Sequence, residues 1–436
     1  MPKGGDGSLL TYLIILVSSV FLGSNLIAIT LPVGQISIYR IFSLLVVPIV
    51  ILFLLKDKKA FKIRMNSYAT GMVAVYIFWW IWAFCSVLWA LSIGSWLQAM
   101  VLLTLGVSSV LGIFLWTNNY LQWRSLMKAV WVMLTFLSIW GLFEIVTNIY
   151  LLADLEKLDK YSTFVTQPWT RIPITYLANQ NDYATMLLAS LPVNLTLMNT
   201  TKSNLKKLVT LACIMLSSFL IFQSGSRMSL IMVVLFFVIY GLLHVRWDFP
   251  RKQLAQTLSI VACVVLGLII FVAPIRSMIT DLIYILPRPI ITGDVGRMNL
   301  WRNGLSFVGK TFGLGVGAGN VEVWMETFGT LPTNHIFNIH NWWLEILVGY
   351  GALVFIAYTL GYGLMIYRLF DLRKYVQKPQ RHTMNALIAF LLIFIGASIT
   401  SANNMLIEWH WVFFGLIVAY IKIMEAKVYE EKKRVE

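Results

Sequence analysis

Apolar runs close to twenty residues long recur from one end of this chain to the other, and they leave it little choice of fold. Inside a bilayer every backbone N–H and C=O must find its partner within the protein, so only helices and closed barrels span. A spanning helix needs about 20 apolar residues. Roughly twelve runs approach that length: residues 9–30, 36–55, 68–90, 94–116, 127–150, 182–198, 208–223, 228–245, 254–274, 341–366, 383–400 and 411–424. A barrel would show short alternating segments instead. The prediction is an all-α polytopic membrane protein, a single integral domain over residues 1–436.

Composition agrees. Of 436 residues, 59% are hydrophobic and 12% charged, and the mean hydropathy is +0.77. Soluble domains carry about 25% charged residues. The net charge of +15 raises nucleic acid as a partner, but the basic residues fall mainly in short loops between apolar runs. Orientation in a bilayer explains them more simply. Cys85, Cys213 and Cys263 lie inside apolar runs and read as small hydrophobes rather than disulfide or metal ligands. The first run follows a short head with Lys3 and no convincing cleavage site, which reads as a retained span.

With the N-terminus placed in the cytoplasm, 24 of the 34 Lys and Arg fall on the cytoplasmic side and 10 outside. Both termini are therefore predicted inside, with residues 425–436 as a cytoplasmic tail. The inner set holds 16 Lys and 8 Arg, and the outer set 3 Lys and 7 Arg. Lysine suffices to orient a loop, whereas an excess of arginine fits bidentate contacts to phosphate or carboxylate.

Two outer segments are long, residues 151–181 and 274–340. Loops of that length are usually functional. The second is predicted to hold a surface helix, with Met298, Trp301, Leu305, Val308 and Phe312 at helical spacing and Arg302 off that stripe. No internal repeat is visible, which weighs against a transporter built from inverted halves.

The chemistry-bearing residues gather in these outer segments. His340 opens the apolar run at residue 341, inside Asn338-Ile339-His340-Asn341-Trp342-Trp343. Histidine takes up a proton near neutral pH, so His340 is a candidate general base; the plainer reading is an interfacial or helix-end histidine. Glu345 lies about 140° round the helix, too far to orient the imidazole directly, and reads as a buried polar group. His335 and His410 are the competing outer histidines, and no metal-ligand spacing appears.

Arg227 follows Ser224-Gly225-Ser226 in a tight outer turn ahead of a helix start. Such a turn favours anions, so Arg227, Ser224 and Ser226 are candidates to hold a diphosphate; a snorkelling arginine is the alternative. Arg297, Arg288 (between two prolines) and Arg171 are further candidates, against the reading of solvated loop arginines. Asn179-Gln180-Asn181-Asp182 would read sugar hydroxyls through Asn181, or simply cap a helix. Asn341 is expected to support His340. Arg40, one turn into its run, reads as snorkelling. The run Gly313 to Asn320 lacks the dinucleotide spacing, and its glycines serve tight turns or a close approach of the backbone to a substrate.

These residues together resemble the O-antigen ligase and polymerase superfamily of bacterial envelope glycan enzymes. The resemblance rests on Ser224-Gly225-Ser226-Arg227, Gly296-Arg297 with Trp301, the Gly313 to Asn320 run, and His340-Asn341 followed by Gly349-Tyr350-Gly351. It covers most of residues 171–358; the first 150 residues match only as apolar spans. It implies a GT-C-like bundle of about twelve helices with a large extracytoplasmic loop containing short helices. It implies transfer of an undecaprenyl-diphosphate-linked oligosaccharide to a glycan or other hydroxyl acceptor, with no metal and no cofactor. By position, Arg227 and Arg297 would match the diphosphate-binding arginines and His340 the base, with Arg288 a looser match. The expected protein is a cell-surface polysaccharide polymerase of the bacterial cytoplasmic membrane, active on its outer face. Its expected partners are the bilayer and polysaccharide export proteins. The lysine-rich inner loops resemble Gram-positive wall-glycan members of the teichuronic acid polymerase kind. A ligase of the same superfamily is the nearest alternative, and a lipid-linked oligosaccharide flippase the alternative of another class.

Overall fold

The computed structural model describes residues 5–23, 28–31, 34–57, 61, 67–152, 171–177, 179–245, 293–333, 335–399 and 407–435. The predicted span 254–274, Arg288, and most of the 151–181 segment lie outside these residues.

The chain opens with α1 (Gly5–Ser19), which closes in a 3-10 turn at Val20–Leu22, where Gly23 turns to φ +66°. A hairpin follows, β1 (Ala28–Leu31) antiparallel to β2 (Gly34–Ser37), in place of the predicted continuation of the first span to residue 30. The left-handed glycine stops the helix, and the alternating stretch after it suits a strand.

Five helices come next: α2 (Ile38–Lys56), α3 (Tyr68–Cys85), α4 (Ile93–Trp116), α5 (Tyr120–Thr147) and α6 (Gln180–Leu188). Then come α7 (Ser190–Thr200), α8 (Asn204–Gln223) and α9 (Arg227–Leu242). Ser37, Ser67, Ser92, Asn119, Asn179 and Ser203 start α2, α3, α4, α5, α6 and α8, each side chain accepting a first-turn N–H. The predicted span 182–198 is broken at Ala189 into α6 and α7. Pro192 explains the break, because it offers no N–H and its ring crowds the carbonyl of residue 188.

Beyond the second long segment stand α10 (Gly293–Lys310), α11 (Val321–Phe328), α12 (Trp342–Leu372), α13 (Lys378–Ala397) and α14 (Trp409–Val435). Helix α14 is buried almost without interruption from Trp409 to Met424, as a helix apolar on all sides should be. It packs on α4, α3 and α12, and α13 packs on α7, α9 and α12. The tail expected at residues 425–436 continues α14 as far as Val435.

Seven helices are long and apolar enough to cross a membrane among the described residues, and Gly7–Leu22 and Arg227–Leu242 are shorter apolar helices. The outward faces confirm what the solvent is. Leu44, Leu45, Leu52 and Leu55 on α2, Leu205, Leu208 and Met215 on α8, and Leu353, Ile356 and Leu360 on α12 are all exposed. Belts of that extent require lipid to cover them.

Helix α12 is interrupted at Gly351, whose φ of 85° and ψ of 176° are not helical. In an unbroken helix the Ala352 N–H would reach the Val348 carbonyl. Instead it donates to Gly313, and Val348 accepts from Val316 while Gly349 accepts from Gly317. The glycine run is therefore a strap laid along the break. It also reaches the α3–α4 turn: Trp89 Nε1 donates to Gly315 O, Ala318 N to Ser86 Oγ, and Asn320 Oδ1 accepts from Ser92 N. Tight turns or a close approach to substrate are expected of these glycines; what they approach here is the protein's own backbone.

The predicted surface helix exists as α10, and the face it buries against the protein differs from the apolar stripe. Leu300, Asn303, Gly304 and Phe307 face inward, whereas Met298 and Leu305 are exposed and Phe312 lies beyond the helix end, 95% exposed. Helix α10 rests on α11, α12 and the strand-like segment before His340, so the inward side is set by those neighbours.

Candidate active site

His340 occupies a left-handed backbone conformation, φ +54°, directly before α12. Histidine tolerates that region better than most residues, yet it costs of order 1 kcal/mol and is seen mainly where surrounding bonds enforce it. Here Asn338 Oδ1 accepts the His340 N–H at 2.8 Å. The side chain is half-buried.

Asn341 is the N-cap of α12, and its Oδ1 accepts from Trp343 N at 3.1 Å and Leu344 N at 3.2 Å. Its side chain starts the helix that follows His340. The next residue is tied to another element, with Trp342 N donating to Ser398 O and Trp343 Nε1 to Ile395 O. The start of α12 is thus bound to the end of α13. Glu345 is buried one turn further on, as expected.

Arg227 is the first residue of α9 and is exposed. A cation at a helix N-terminus opposes the helix dipole, so stability does not account for it, whereas an anion there would be welcomed. Its guanidinium has no hydrogen-bond or ion-pair partner among the described residues. The serine turn before it is differently built from expectation. Ser224 Oγ donates to Ile221 O, Ser226 N to Ser224 Oγ, and Ser226 Oγ to Ser229 Oγ. The amides of Ser224 and Gly225 also bond inside the turn. The serines shape the turn, and the first-turn amides of α9 are the donors left facing this end.

Helix α9 packs along α13. A Cβ added at Gly396 would stand 2.7 Å from Met232 Cε and 4.0 Å from Met228 Sδ, so the first turn after Arg227 lies against the same end of α13 that binds Trp342 and Trp343.

Arg171 adjoins the same turn, because Gln223 Nε2 donates to its carbonyl at 3.0 Å. Its Nη1 donates to Ile145 O at 2.8 Å and Val146 O at 2.7 Å, closing the end of α5. Glu144 holds the same segment, with Oε2 accepting from Ile174 and Thr175. Asn181 lies in the first turn of α6 and is half-buried; Asn179, not Asn181 or Asp182, is the cap.

Arg297 sits in α10, half-buried, also without a side-chain partner among the described residues. One turn on, Trp301 Nε1 donates to Ile339 O at 3.1 Å. A path of bonded or packed neighbours therefore runs from Arg171 through Gln223 to the turn before Arg227, from Met228 and Met232 of α9 to the end of α13, on to Trp342 two residues after His340, and through Ile339 and Trp301 to α10, which carries Arg297.

The rival histidines are placed otherwise. His410 is buried between Trp409, Trp342 and Phe394, ring centroids 4.2, 5.0 and 5.3 Å away, with Nδ1 3.0 Å from Ile407 O. His335 is exposed in the loop. Arg40 does not snorkel freely: its Nε donates to Glu408 Oε1 at 2.8 Å and its Nη1 to Gln35 O at 2.8 Å. Burial pushes the Glu408 carboxyl up and Arg40 opposes this. Among the described residues, no three His, Cys, Asp or Glu side chains gather as a metal site.

Sequence reasoning missed Asn338, Gln223 and Ser398. Their contributions are contacts between distant segments, which no local pattern announces. Asn338 alone carried a signal, an Asn two residues before a residue that takes φ > 0.

Comparison with known proteins falls on the same region. Residues 212–359 match the family model described as O-antigen ligase, a range that includes Arg227, Arg297 and His340. Over 420 residues the chain is 26% identical to the teichuronic acid biosynthesis protein TuaE of Bacillus subtilis (strain 168), covering 94% of this chain and 83% of that one.

Proposed function

We propose that this chain, whose residues 212–359 match the family model described as O-antigen ligase, is a cell-surface polysaccharide polymerase. It joins oligosaccharide repeat units carried on undecaprenyl diphosphate, in the bacterial cytoplasmic membrane. The observation that carries the reading is the contact path linking Arg171, Arg227, His340 and Arg297 at one end of the bundle. With both termini in the cytoplasm, that end is the outer face.

The chemistry follows from the residues. Arg227 and Arg297 hold the donor diphosphate through paired N–H groups, and Arg171 offers Nε and Nη2, its Nη1 being committed to α5. Arg288 would join them from the same outer segment. Charge compensation of this kind makes lipid diphosphate a competent leaving group without a metal. His340 takes the proton from the acceptor hydroxyl, a step that contributes ~10²–10⁴ in rate. The acceptor oxygen then bonds to the anomeric carbon as the bond to the diphosphate oxygen breaks, inverting that centre. Asn181, in the first turn of α6, reads sugar hydroxyls.

The family description favours a second reading, in which the finished glycan is ligated to a lipid, wall or protein acceptor. The name of the B. subtilis relative favours a wall glycan as product. Purified protein in lipid nanodiscs decides between the readings. Lipid-linked repeat unit alone should yield long products. Single transfer to an added acceptor, with no elongation, would replace polymerase by ligase, and no transfer in either mixture would end both.

A further inference from the structure

The peptide between Ile339 and His340 is pinned at both edges. Its C=O accepts from Trp301 Nε1 at 3.1 Å, and its N–H donates to Asn338 Oδ1 at 2.8 Å. The donor at one edge belongs to α10, one helical turn from Arg297 and on the same side of that helix. The acceptor at the other edge belongs to the approach segment, and Asn338 Nδ2 is itself held by Glu322 Oε1 of α11 at 3.2 Å.

The rest of that segment is clamped to the same helix. Asn303, 1% exposed, accepts from Leu331 N at 3.0 Å and Thr330 N at 3.2 Å and donates to Leu331 O at 3.0 Å. Asn299 Nδ2 donates to Pro332 O at 2.9 Å. A Cβ at Gly304 would lie 3.1 Å from Ile339 Cδ1, so the helix backbone itself approaches the residue before the histidine. Helix formation does not ask for these side chains, since Asn and Trp are ordinary or poor helix formers. A buried Asn is tolerated because its amide is satisfied by backbone it was placed to hold.

We infer that Trp301 is a positioning residue for the transfer reaction: its indole N–H fixes the Ile339–His340 peptide plane, and with it the direction of the His340 side chain relative to Arg297. The inference rests on the function proposed above. Arg297 and His340 form one rigid half of the site, while Arg227 belongs to the other half, on α9. Base and one diphosphate ligand keep their spacing whether or not donor is bound. A base held off its proper line by about an ångström loses rate rather than affinity.

The test replaces Trp301 by Phe, which keeps an aromatic ring and deletes the N–H. Two readouts are taken on the full chain in nanodiscs. Steady-state transfer from lipid-linked repeat unit should show kcat lowered at least tenfold with KM for the donor unchanged. Hydrogen exchange, followed in a peptide covering residues 336–342, should accelerate at the His340 amide while α13 peptides keep wild-type protection. Asn338→Leu removes the acceptor at the other edge and carries the same expectation should Trp301→Phe not reach the membrane, and Asn338→Asp combined with Glu322→Gln, which keeps Oδ1 as acceptor and reverses the bond to α11, should restore wild-type values. Unchanged kcat and unchanged exchange in Trp301→Phe overturn the inference. A fall in kcat shared by the Asn338→Asp, Glu322→Gln double variant overturns it too. A wild-type protein that transfers no glycan sinks the proposed function instead, and the exchange result alone then decides whether Trp301 fixes this peptide.

Discussion

Gly315 and Gly351 stand back to back: a Cβ on the first would lie 2.4 Å from the backbone nitrogen of the second. A Cβ on Gly351 would in turn lie 2.3 Å from the Leu314 carbonyl oxygen. Both have φ above +80°. This contact joins the segment after α10 to the break in α12, and so ties the helix bearing Arg297 to the helix that begins beside His340.

Gly351→Ala should therefore be among the most damaging single substitutions in the chain. It meets a left-handed backbone, worth about 1–3 kcal/mol on its own, and a backbone oxygen that cannot step aside. Thermal unfolding in detergent should show a loss of several degrees. Gly363→Ala in the same helix, where a Cβ meets nothing within 4 Å, should leave it unchanged or slightly raised.

Asn341 is expected to act on stability more than on chemistry. Asn341→Ala deletes the cap on Trp343 and Leu344 and should cost about 1 kcal/mol. Asn341→Asp and Asn341→Ser should restore most of it. Loss of transfer in all three, with unfolding unchanged, would show a direct role that the cap does not explain.

The Arg40–Glu408 pair has side chains only 20% and 8% exposed. Arg40→Met leaves a buried carboxylate without its cation and should cost about 3 kcal/mol near pH 7. Arg40→Met with Glu408→Gln should recover much of that loss. The sign with pH follows from burial, which places the Glu408 carboxyl above its ordinary range. A carboxyl raised on folding favours the folded state when protonated, and that contribution is lost as pH rises through its folded value. Unfolding measured from pH 4 to pH 8 should show the Arg40→Met deficit growing with pH; a deficit constant across that window would contradict the assignment.

Arg227→Lys and Arg297→Lys keep the charge but lose the fork. Each should weaken donor binding about tenfold or more, the loss expected for one charge-assisted hydrogen bond. Arg302→Lys, exposed on the same helix as Arg297, should bind donor as wild type does. Equal affinity in all three, measured by titration with lipid-linked glycan, would remove the arginines from the donor site.

What the sequence made legible was what depends on local pattern. Helices α2 to α9, with α12 and α13, start and stop within about six residues of the apolar runs, apart from the break between α6 and α7 and from α5, which begins seven residues early behind its Asn119 cap, while α14 runs on to Val435. His340, Arg227 and Arg297 stood out as candidates because their types are costly or odd where they stand. The hairpin at residues 28–37 was hidden because its apolar residues read as the tail of a span. The inward face of α10 was hidden because Met298 and Leu305 fit helical spacing as well as Leu300, Asn303 and Phe307 do, and only the neighbours decide. Arg171's hold on α5 and the serine turn's internal bonds were likewise matters of partners far away in the chain or of unseen hydroxyl directions.

The central claim is that the imidazole of residue 340 accepts the acceptor's proton. It is tested most directly by single-turnover transfer with His340→Ala, in nanodiscs loaded with lipid-linked repeat unit, beside a measurement of donor binding. The account predicts donor bound with wild-type affinity and no polymer formed. Polymer accumulating at close to the wild-type rate in that variant would contradict it.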